Sequence, residues 1–441
     1  MTPKVVTVIG ANGSMGKNIS AIFASFGNAE VHMVCRNINK SILAKNEACG
    51  SVRSESIQTN LIPEDYSALP DVLKRSDLVF ESVSEEWNVK TQVMEDIGLI
   101  VKNNVDYFYD TVFCTGSSGL SVTTLSEFLP MEIRGNYMGM HMFNPPYTMS
   151  LCELIPTKYS NKKIFDSAKR YCKEVLYRTV VEVKDCPAFL ANRIGFQFIN
   201  SALIMADKYK FNGGIDYIDS ILGPFTGRSM PPLLTSDFVG LDVHKAIVDN
   251  IYKNTDDYAN RTFKIPSFAK KLIYEGKLGR KKNEGLYKTI IHESGLKIRQ
   301  VYDIESDSYR NVIKYTFPFS EHMINFIREG NYSSAFGILV SNRSLEANLC
   351  CEMLLKYVLY AVNTSLEVGY DIHSADDVMA AGFNWCPPLA IVDALGGIEV
   401  FKNLCSDRFS TETLKKMNSD SCFMALTPSK YDFRKYIRAK K

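Results

Sequence analysis

The residues best suited to chemistry are His141 and Glu153, which are separated by twelve positions. A neutral imidazole can accept a proton near pH 7, and a carboxylate on its other ring nitrogen holds one tautomer and stabilises the imidazolium. Asn144-Pro145, between the two, predicts a turn that brings the flanking segments together. Apolar residues flank Glu153, so we expect its side chain to point inward. The pattern predicts a general base able to take a proton from a hydroxyl group.

A glycine-rich segment at the start of the chain predicts a dinucleotide site. It follows a continuous β-branched run at 5–9 and opens a helical pattern. Gly10 permits a tight turn, Gly13 lets the backbone approach a pyrophosphate, and Gly16 allows close helix packing. The spacing is Gly-x-x-Gly-x-x-Gly, so the loop must accommodate one residue more than the usual fingerprint. The predicted cofactor contacts in this segment are Gly10, Asn12, Gly13, Ser14, Met15 and Gly16.

Together, the base and the glycine turn indicate a nicotinamide-dependent dehydrogenase that acts on a hydroxyl group. In such folds an acidic side chain roughly twenty residues after the turn binds the ribose of NAD. Here the second predicted strand, Glu30 to Cys35, is followed by Arg36, and no carboxylate is present. Arg36 could pair with the 2′-phosphate of NADP or stack on adenine, or it could simply be solvated. NAD and NADP therefore both stay open.

The composition limits the classes of partner. The chain has 441 residues, 46% hydrophobic and 23% charged, with a formal net charge of +2, so we expect two or three globular domains and neither nucleic acid nor a membrane as a partner. No apolar run reaches about 18 residues, and the amino terminus leads into a strand rather than a signal peptide. Eleven cysteines without a Cys-x-x-Cys pair indicate reduced thiols in a cytoplasmic protein. The sequence has no His-x-x-x-His pattern and no Cys/His cluster, so we expect no metal site.

Strands alternating with helices predict a doubly wound, Rossmann-type parallel sheet over 1–184. Further strands are predicted at 77–83, 106–111 and 137–141. From Asp185 onward the pattern becomes helical, which predicts a substrate- or dimerisation-type domain over 185–290.

A weak internal repeat then follows at an offset of 156 residues. Ala191-Asn192 aligns with Ala347-Asn348, and Pro231-Pro232-Leu233 aligns with Pro387-Pro388-Leu389. Chance similarity between two helical segments is the alternative. The repeat favours a second, related helical domain over 291–441, with 290–340 as its connecting region.

With these residues assembled, the chain resembles the 3-hydroxyacyl-CoA dehydrogenase family over about 5–288, and the repeat extends the resemblance to most of the chain. Five segments carry it: the glycine turn ending in Met15-Gly16, Glu81-Ser82-Val83-Ser84-Glu85 with Lys90, Gly116-Ser117-Ser118-Gly119-Leu120-Ser121, His141 to Glu153, and Asp185-Cys186-Pro187-Ala188-Phe189-Leu190-Ala191-Asn192-Arg193.

The resemblance implies a role for each matching residue. His141 would be the general base and Glu153 its partner. Ser118 and Asn192 would hold the substrate oxygen, and Ser117 competes with Ser118 for that role. Three further residues would lie along the cofactor: Glu85, Lys90 and Asn144. Tandem helical domains are similar to those of family members that imitate a dimer within one chain, so we expect either a monomer with an internal pseudo-dimer or a homodimer.

The chain departs from the family in its substrate-binding segments. Family members that act on CoA esters usually have a long helical hairpin after the second strand, whereas only about forty residues separate Arg36 from Asp77 here. The serine loop begins Gly116-Ser117 in place of Asn-Thr. The usual Gly-Pro-Phe of the helical domain reads Met230-Pro231-Pro232-Leu233. These changes predict a reshaped substrate channel and leave the His–Glu pair intact.

The leading hypothesis is therefore an NAD(P)-dependent dehydrogenase of fatty acid metabolism that interconverts a 3-hydroxyacyl thioester, on CoA or a carrier protein, with its 3-oxo form. One alternative is a β-hydroxy acid dehydrogenase acting on a free or carrier-bound substrate. A second is a non-catalytic relative that keeps the cofactor site. The presence of His141, Glu153, Ser118 and Asn192 together argues against the second alternative.

Overall fold

A computed structural model describes residues 2–52, 55–291 and 297–439. The chain divides into two compact units, Met1–Phe189 and Leu190–Lys441.

The first unit is built on an eight-stranded sheet with the strand order β3-β2-β1-β4-β5-β6-β7-β8. Every neighbouring pair is parallel except β6 with β7. The strand order reverses between β1 and β4, where sheets of this type leave a crevice at the carboxyl ends of their strands. The strands are β1 Val5–Ile9, β2 Glu30–Cys35, β3 Leu61–Asp65, β4 Leu78–Glu81, β5 Val112–Thr115, β6 Tyr137–Met142, β7 Leu151–Ile155 and β8 Thr179–Glu182.

Helices connect the strands of this sheet. Helix α1 packs Ile19, Ile22 and Phe23 into the core, at the helical spacing expected of a buried face. The α-helices are α1 Ser14–Ser25, α2 Ile38–Val52, α3 Leu69–Arg75, α4 Trp87–Lys102, α5 Val122–Ser126, α6 Met131–Arg134 and α7 Lys162–Arg170. Short 3-10 helices cover Glu55–Ile57, Tyr66–Ala68 and Val105–Tyr107, and a π-helical turn covers Tyr171–Val175.

The Rossmann-type α/β fold followed by helices is confirmed, with one strand prediction wrong. The segment 106–111 was predicted as a strand, but the chain there forms a 3-10 turn and loop, and β5 begins only at Val112. Tyr107 and Tyr109 are 63% and 54% exposed. Their aromatic rings favour strands in isolation, but the sheet takes the fully buried run at Val112–Thr115 instead.

The second unit is mostly helical and also contains a small antiparallel sheet that was not predicted. Its strands, β9 Tyr287–Ile291, β10 Lys297–Asp303 and β11 Ser308–Asn311, are rich in exposed polar residues, so their alternation is weak in the sequence. No helix among the described residues is long and apolar enough to cross a membrane.

The remaining helices all belong to the second unit. The α-helices are α8 Ala191–Lys208, α9 Ile215–Ile221, α10 Pro232–Val239, α11 Leu241–Asn254, α12 Ser267–Tyr274, α13 Pro318–Arg328, α14 Tyr332–Ser341, α15 Leu345–Val368, α16 Ser374–Val378, α17 Pro388–Ala394, α18 Ile398–Arg408, α19 Thr411–Lys416 and α20 Ser419–Ala425. Short 3-10 helices lie at Lys210–Asn212, Pro224–Thr226, Asn260–Phe263, Arg280–Lys282 and Phe433–Lys435, and a π-helical turn lies at Met379–Phe383.

The two prolines of the internal repeat begin corresponding helices, α10 and α17. A buried aspartate precedes each helix and accepts a hydrogen bond from its first turn. Asp219 accepts from the backbone N–H of Leu233 at 2.8 Å, and Asp376 accepts from that of Leu389 at 2.9 Å. This local similarity agrees with a duplication, while the division of the second unit into two related domains near residue 290 stays a prediction.

Candidate active site

The pairing of β6 with β7 places His141 directly opposite Glu153. Opposite residues in an antiparallel pair share one face of the sheet, and their side chains therefore meet. The Nδ1–H of His141 donates to Oε2 of Glu153 at 2.7 Å. The neighbours Met140 and Met142 belong to the hydrophobic core, so strand alternation alone turns the dyad away from it.

Both members of the dyad are buried, with His141 5% exposed and Glu153 fully enclosed. The ring of Phe143 lies 4.5 Å from the imidazole between centroids, and the ring of Phe189 lies 5.5 Å away. A hydrogen bond on one nitrogen and two aromatic neighbours hold the imidazole in one orientation. With Nδ1 engaged by the carboxylate, Nε2 is the nitrogen able to accept a proton.

His141 lines a cavity of about 480 Å³ in the first unit. The cavity lies where residues that follow β1, β2, β4 and β5 converge, which is the crevice expected at the carboxyl ends of a doubly wound sheet. Its lining residues are Gly10, Asn12, Gly13, Ser14, Met15, Arg36, Tyr66, Ser82, Val83, Ser84, Glu85, Gly116, Ser118, His141 and Met142.

The glycine turn has the shape that a pyrophosphate-binding loop requires. Gly10 has φ +80°, and a Cβ there would lie 2.7 Å from the carbonyl oxygen of Ser82. A Cβ on Gly16 would lie 2.4 Å from the carbonyl oxygen of Gly10. Gly13 has no such clash, and it faces the cavity at the N-terminus of α1. Because α1 presents its positive end here, the loop fits the phosphates of a dinucleotide.

Arg36 and Tyr66 line the same cavity beyond the ends of β2 and β3. Burial raises the pKa of the Tyr66 phenol to about 12, although the charge of Arg36 opposes this shift. Asp65, which ends β3, accepts hydrogen bonds from Ser67. Among the described residues that line the cavity, none supplies a carboxylate from the ends of β2 or β3. This end of the cavity therefore presents a guanidinium and a phenol.

Five residues form a closed hydrogen-bonded network beside the cavity, and one of them, Glu85, lines it. The Lys90 ammonium donates to both carboxylate oxygens of Glu81, at 2.9 and 3.0 Å. The Thr115 hydroxyl also donates to Glu81, at 2.7 Å. Lys90 is also 3.3 Å from Glu85. The ring closes through Ser117, whose hydroxyl donates to Glu85 at 2.6 Å and whose N–H donates to Thr115 at 3.1 Å.

This network distinguishes Ser117 from Ser118. Ser117 is 1% exposed, and its hydroxyl is occupied by Glu85 and by the backbone N–H of Leu120. Ser118 donates only its backbone N–H to Glu85, at 2.8 Å, and its side chain lines the cavity. The geometry therefore favours Ser118 as the serine available to a ligand.

Five residues predicted for the site do not line the cavity. Glu153 is fully enclosed and reaches the site through its hydrogen bond with His141. Gly16 packs beneath the turn, and Lys90 is buried in the network. Asn144 is exposed, and its side-chain amide contacts Ser14 at 3.4 Å, which keeps it beside the glycine turn. Asn192 is a buried residue in the first turn of α8, in the second unit.

Several cavity residues were not predicted from the sequence. Three of them, Ser82, Val83 and Ser84, directly follow β4, just as the glycine turn follows β1, and both strands end at the same crevice. Their position after a buried strand is the feature of the sequence that could have identified them. Tyr66 carried no such signal because β3 was not recognised. The other unpredicted lining residues are Gly116 and Met142. Within the described part of the chain, no group of three His, Cys, Asp or Glu side chains is arranged to hold a metal ion.

Two models of one protein family match consecutive parts of the chain, from residue 5 to residue 289. Residues 5–186 match the family model described as 3-hydroxyacyl-CoA dehydrogenase, NAD binding domain. Residues 189–289 match the model described as 3-hydroxyacyl-CoA dehydrogenase, C-terminal domain.

Individual relatives are similar at a distance. A Bacillus subtilis protein named as a probable 3-hydroxyacyl-CoA dehydrogenase is 28% identical over 330 residues, covering 74% of this chain and 39% of its own length. A Rickettsia prowazekii protein named as a fatty acid oxidation complex trifunctional enzyme is 24% identical over 396 residues, covering 87% of this chain and 52% of its own length. This chain thus spans about two fifths of the first relative and about half of the second.

The crystal structure of 3-hydroxybutyryl-CoA dehydrogenase from Escherichia coli K12 matches with a TM-score of 0.67 and covers 98% of this chain and 97% of its own. At 17% identity, this likeness concerns the fold.

Proposed function

Since the chain belongs to the 3-hydroxyacyl-CoA dehydrogenase family, we propose that it interconverts a 3-hydroxyacyl thioester and its 3-oxoacyl form with NAD(H) or NADP(H). One observation carries the proposal. His141, which is hydrogen-bonded to the buried Glu153, lines the same cavity as a glycine turn in which Gly10 and Gly16 leave no room for a Cβ. A base and a dinucleotide-binding loop on one cavity wall are the two parts that oxidation of an alcohol requires.

In this proposal Nε2 of His141 accepts the hydroxyl proton of the substrate. Glu153 stabilises the resulting imidazolium through the Nδ1–H bond, in the way of other His–acid pairs. Ser118 donates a hydrogen bond to the substrate oxygen, whose negative charge grows as the proton leaves. The nicotinamide, when bound, supplies the hydride acceptor. In the direction of ketone reduction, the His141 imidazolium returns the proton to the oxygen.

Cofactor binding and turnover test the proposal separately. Fluorescence titration with NADH and with NADPH measures binding, and acetoacetyl-CoA then serves as the first substrate, followed by longer 3-oxoacyl-CoA esters. We expect His141→Gln to retain cofactor binding and to lose turnover by roughly 10²–10⁴, the usual contribution of a general base. An unchanged turnover number in this variant would remove His141 from the mechanism.

The substrate carrier needs its own comparison. Among the described residues, only α2 and one 3-10 turn lie between β2 and β3, where CoA-specific relatives were expected to have a long hairpin. A carrier-protein thioester or a free 3-hydroxy acid is therefore the alternative substrate. Parallel assays of CoA-bound, carrier-bound and free substrates decide between them, and turnover confined to the free acids would reject the thioester.

A non-catalytic relative that only binds the cofactor is the remaining alternative. It requires no oriented base, whereas His141 has a buried carboxylate partner at 2.7 Å. Cofactor binding without hydride transfer on any of the three substrate types would favour this alternative over the enzyme.

A further inference from the structure

The charged groups of the cavity are separated by sign. Among the described residues that line the cavity, the Lys, Arg, Asp and Glu side chains are Arg36, which follows β2, and Glu85, which follows β4. In the sheet, β2 and β4 lie on opposite sides of β1. The β2 side of the cavity is therefore positive and the β4 side negative.

The charge of Glu85 is not cancelled by Lys90. The Lys90 ammonium lies 2.9 and 3.0 Å from the two carboxylate oxygens of Glu81 and 3.3 Å from Glu85, so two carboxylates share a single ammonium. Glu81 and Lys90 are each 1% exposed or less, whereas the side chain of Glu85 is 37% exposed. The net negative charge of the group therefore faces the cavity through Glu85.

Glu85 carries this charge at neutral pH. Burial by itself raises the pKa of its carboxyl, but the Lys90 charge and the hydrogen bonds from Ser117 and Ser118 outweigh that effect and hold the pKa below its ordinary value. Three donors converge on one carboxylate, and each of them favours the ionised form.

The reacting end of the cavity is the end with His141 and Ser118, because the proton must leave the substrate there. Glu85 accepts a hydrogen bond from the N–H of Ser118 at 2.8 Å, so its carboxylate belongs to that end. The oxidised nicotinamide ring carries a positive charge, and the reduced ring is neutral. We infer that Glu85 sets the redox preference of the site by favouring the oxidised form of the dinucleotide over the reduced form. The inference rests on the proposed function, since it requires a nicotinamide dinucleotide in this cavity.

This preference has a consequence for the direction of the reaction. A protein that binds the oxidised cofactor more tightly than the reduced one lowers the free energy of the complex that contains the oxidised form. On the protein, the equilibrium then shifts toward oxidised cofactor and 3-hydroxy product. Glu85 thus favours ketone reduction among the bound species, independently of the His141–Glu153 dyad.

Glu85→Gln tests the inference because it removes the charge and keeps an acceptor oxygen for Ser117 and Ser118. Calorimetric titration gives the Kd of the oxidised and the reduced form of whichever cofactor the wild-type protein binds. We expect the ratio of Kd(oxidised) to Kd(reduced) to rise about three- to tenfold in Glu85→Gln, the effect of one unit charge at a solvent-accessible site. A ratio unchanged within twofold would overturn the inference.

Two control variants separate charge from structure. Glu86→Gln makes the same change one residue away, on an exposed side chain outside the cavity lining, and should leave the ratio unchanged. Ser117→Ala removes the hydroxyl that holds Glu85 and leaves the charge in place, so it should also preserve the ratio. A matching rise in either control would contradict a local charge effect. Failure of the wild-type protein to bind any nicotinamide dinucleotide would refute the proposed function itself.

Discussion

Replacing Glu153 with Gln probes the orientation and charge of the dyad with almost no change in volume. The carboxylate is fully enclosed and accepts the Nδ1–H of His141 at 2.7 Å. When the imidazole gains a proton, this bond becomes one between two charged groups. Hydrogen bonds to charged groups contribute about 1.5–3 kcal/mol, against about 0.5–1.5 kcal/mol between neutral groups.

If the amide oxygen of Gln still accepts the Nδ1–H, the imidazolium loses the difference between a charged and a neutral hydrogen bond, about 1–2 kcal/mol. This corresponds to roughly a 5- to 30-fold fall in turnover number. If the amide instead turns its NH₂ group toward Nδ1, the proton of His141 moves to Nε2, and the nitrogen that should accept the substrate proton is blocked. Loss of the correct tautomer costs about 10⁴ in other His–acid pairs. We therefore expect Glu153→Gln to lower kcat by roughly 5- to 10⁴-fold, with the lower figure set by the loss of charge alone.

The assay follows the absorbance of the reduced nicotinamide with saturating acetoacetyl-CoA, and cofactor Kd is measured in parallel. Glu182→Gln is the matched control, because Glu182 lies on the adjacent strand β8, pairs with Lys169 and is partly exposed. Cofactor Kd should stay within twofold in both variants. A kcat for Glu153→Gln within twofold of the wild type would refute the role of the carboxylate in the proton transfer.

Three further predictions follow from the geometry of the cavity and the core. Arg36→Asp should shift the ratio of Kd values toward NAD(H), since a guanidinium favours a 2′-phosphate and a carboxylate favours a ribose hydroxyl; unchanged selectivity would show that Arg36 does not read the phosphate. Gly13→Ala should weaken cofactor binding without lowering Tm, because its Cβ would have ordinary contacts with the protein but would enter the cavity. Gly16→Ala should instead lower Tm, because its Cβ would lie 2.4 Å from the carbonyl oxygen of Gly10. Equal thermal stability of the two variants would contradict this prediction. Burial lowers the pKa of His244 from 6.5 to about 3. Between these two pH values the unfolded state binds more protons than the folded state. The free energy of unfolding should therefore fall by up to about 1.4 kcal/mol per pH unit as the pH drops from 6.5 to about 3. His244→Gln should remove this slope in denaturant titrations, and parallel pH profiles would exclude His244 as its source.

The local features of the site could be predicted from the sequence because they depend on neighbours along the chain. A continuous β-branched strand followed by Gly10, Gly13 and Gly16 predicts a tight turn, and the structure has a turn in which the positive φ of Gly10 and the close contacts of Gly10 and Gly16 require glycine. The Rossmann-type sheet followed by helices was predicted for the same reason, since buried parallel strands and amphipathic helices differ in period. The prediction of a strand at 106–111 was wrong because burial, rather than aromatic content, decides which residues enter the sheet.

The opposition of His141 and Glu153 depends on register. The sequence determined that a base and an acid lie on either side of a turn, but only the antiparallel pairing of β6 with β7 brought them to 2.7 Å. Glu81, Glu85 and Lys90 are at most nine positions apart in the sequence, but only the structure shows that the Lys90 ammonium contacts both carboxylate oxygens of Glu81, at 2.9 and 3.0 Å.

The sequence by itself therefore determined which groups are present and the conformation of the glycine turn. The tertiary structure decided which carboxylate takes the Lys90 ammonium, which serine stays available and which charge faces the cavity. The choice between the serines depends on the contact of Ser117 with Glu85, 32 residues away in the chain. Such contacts are set by packing rather than by local propensity.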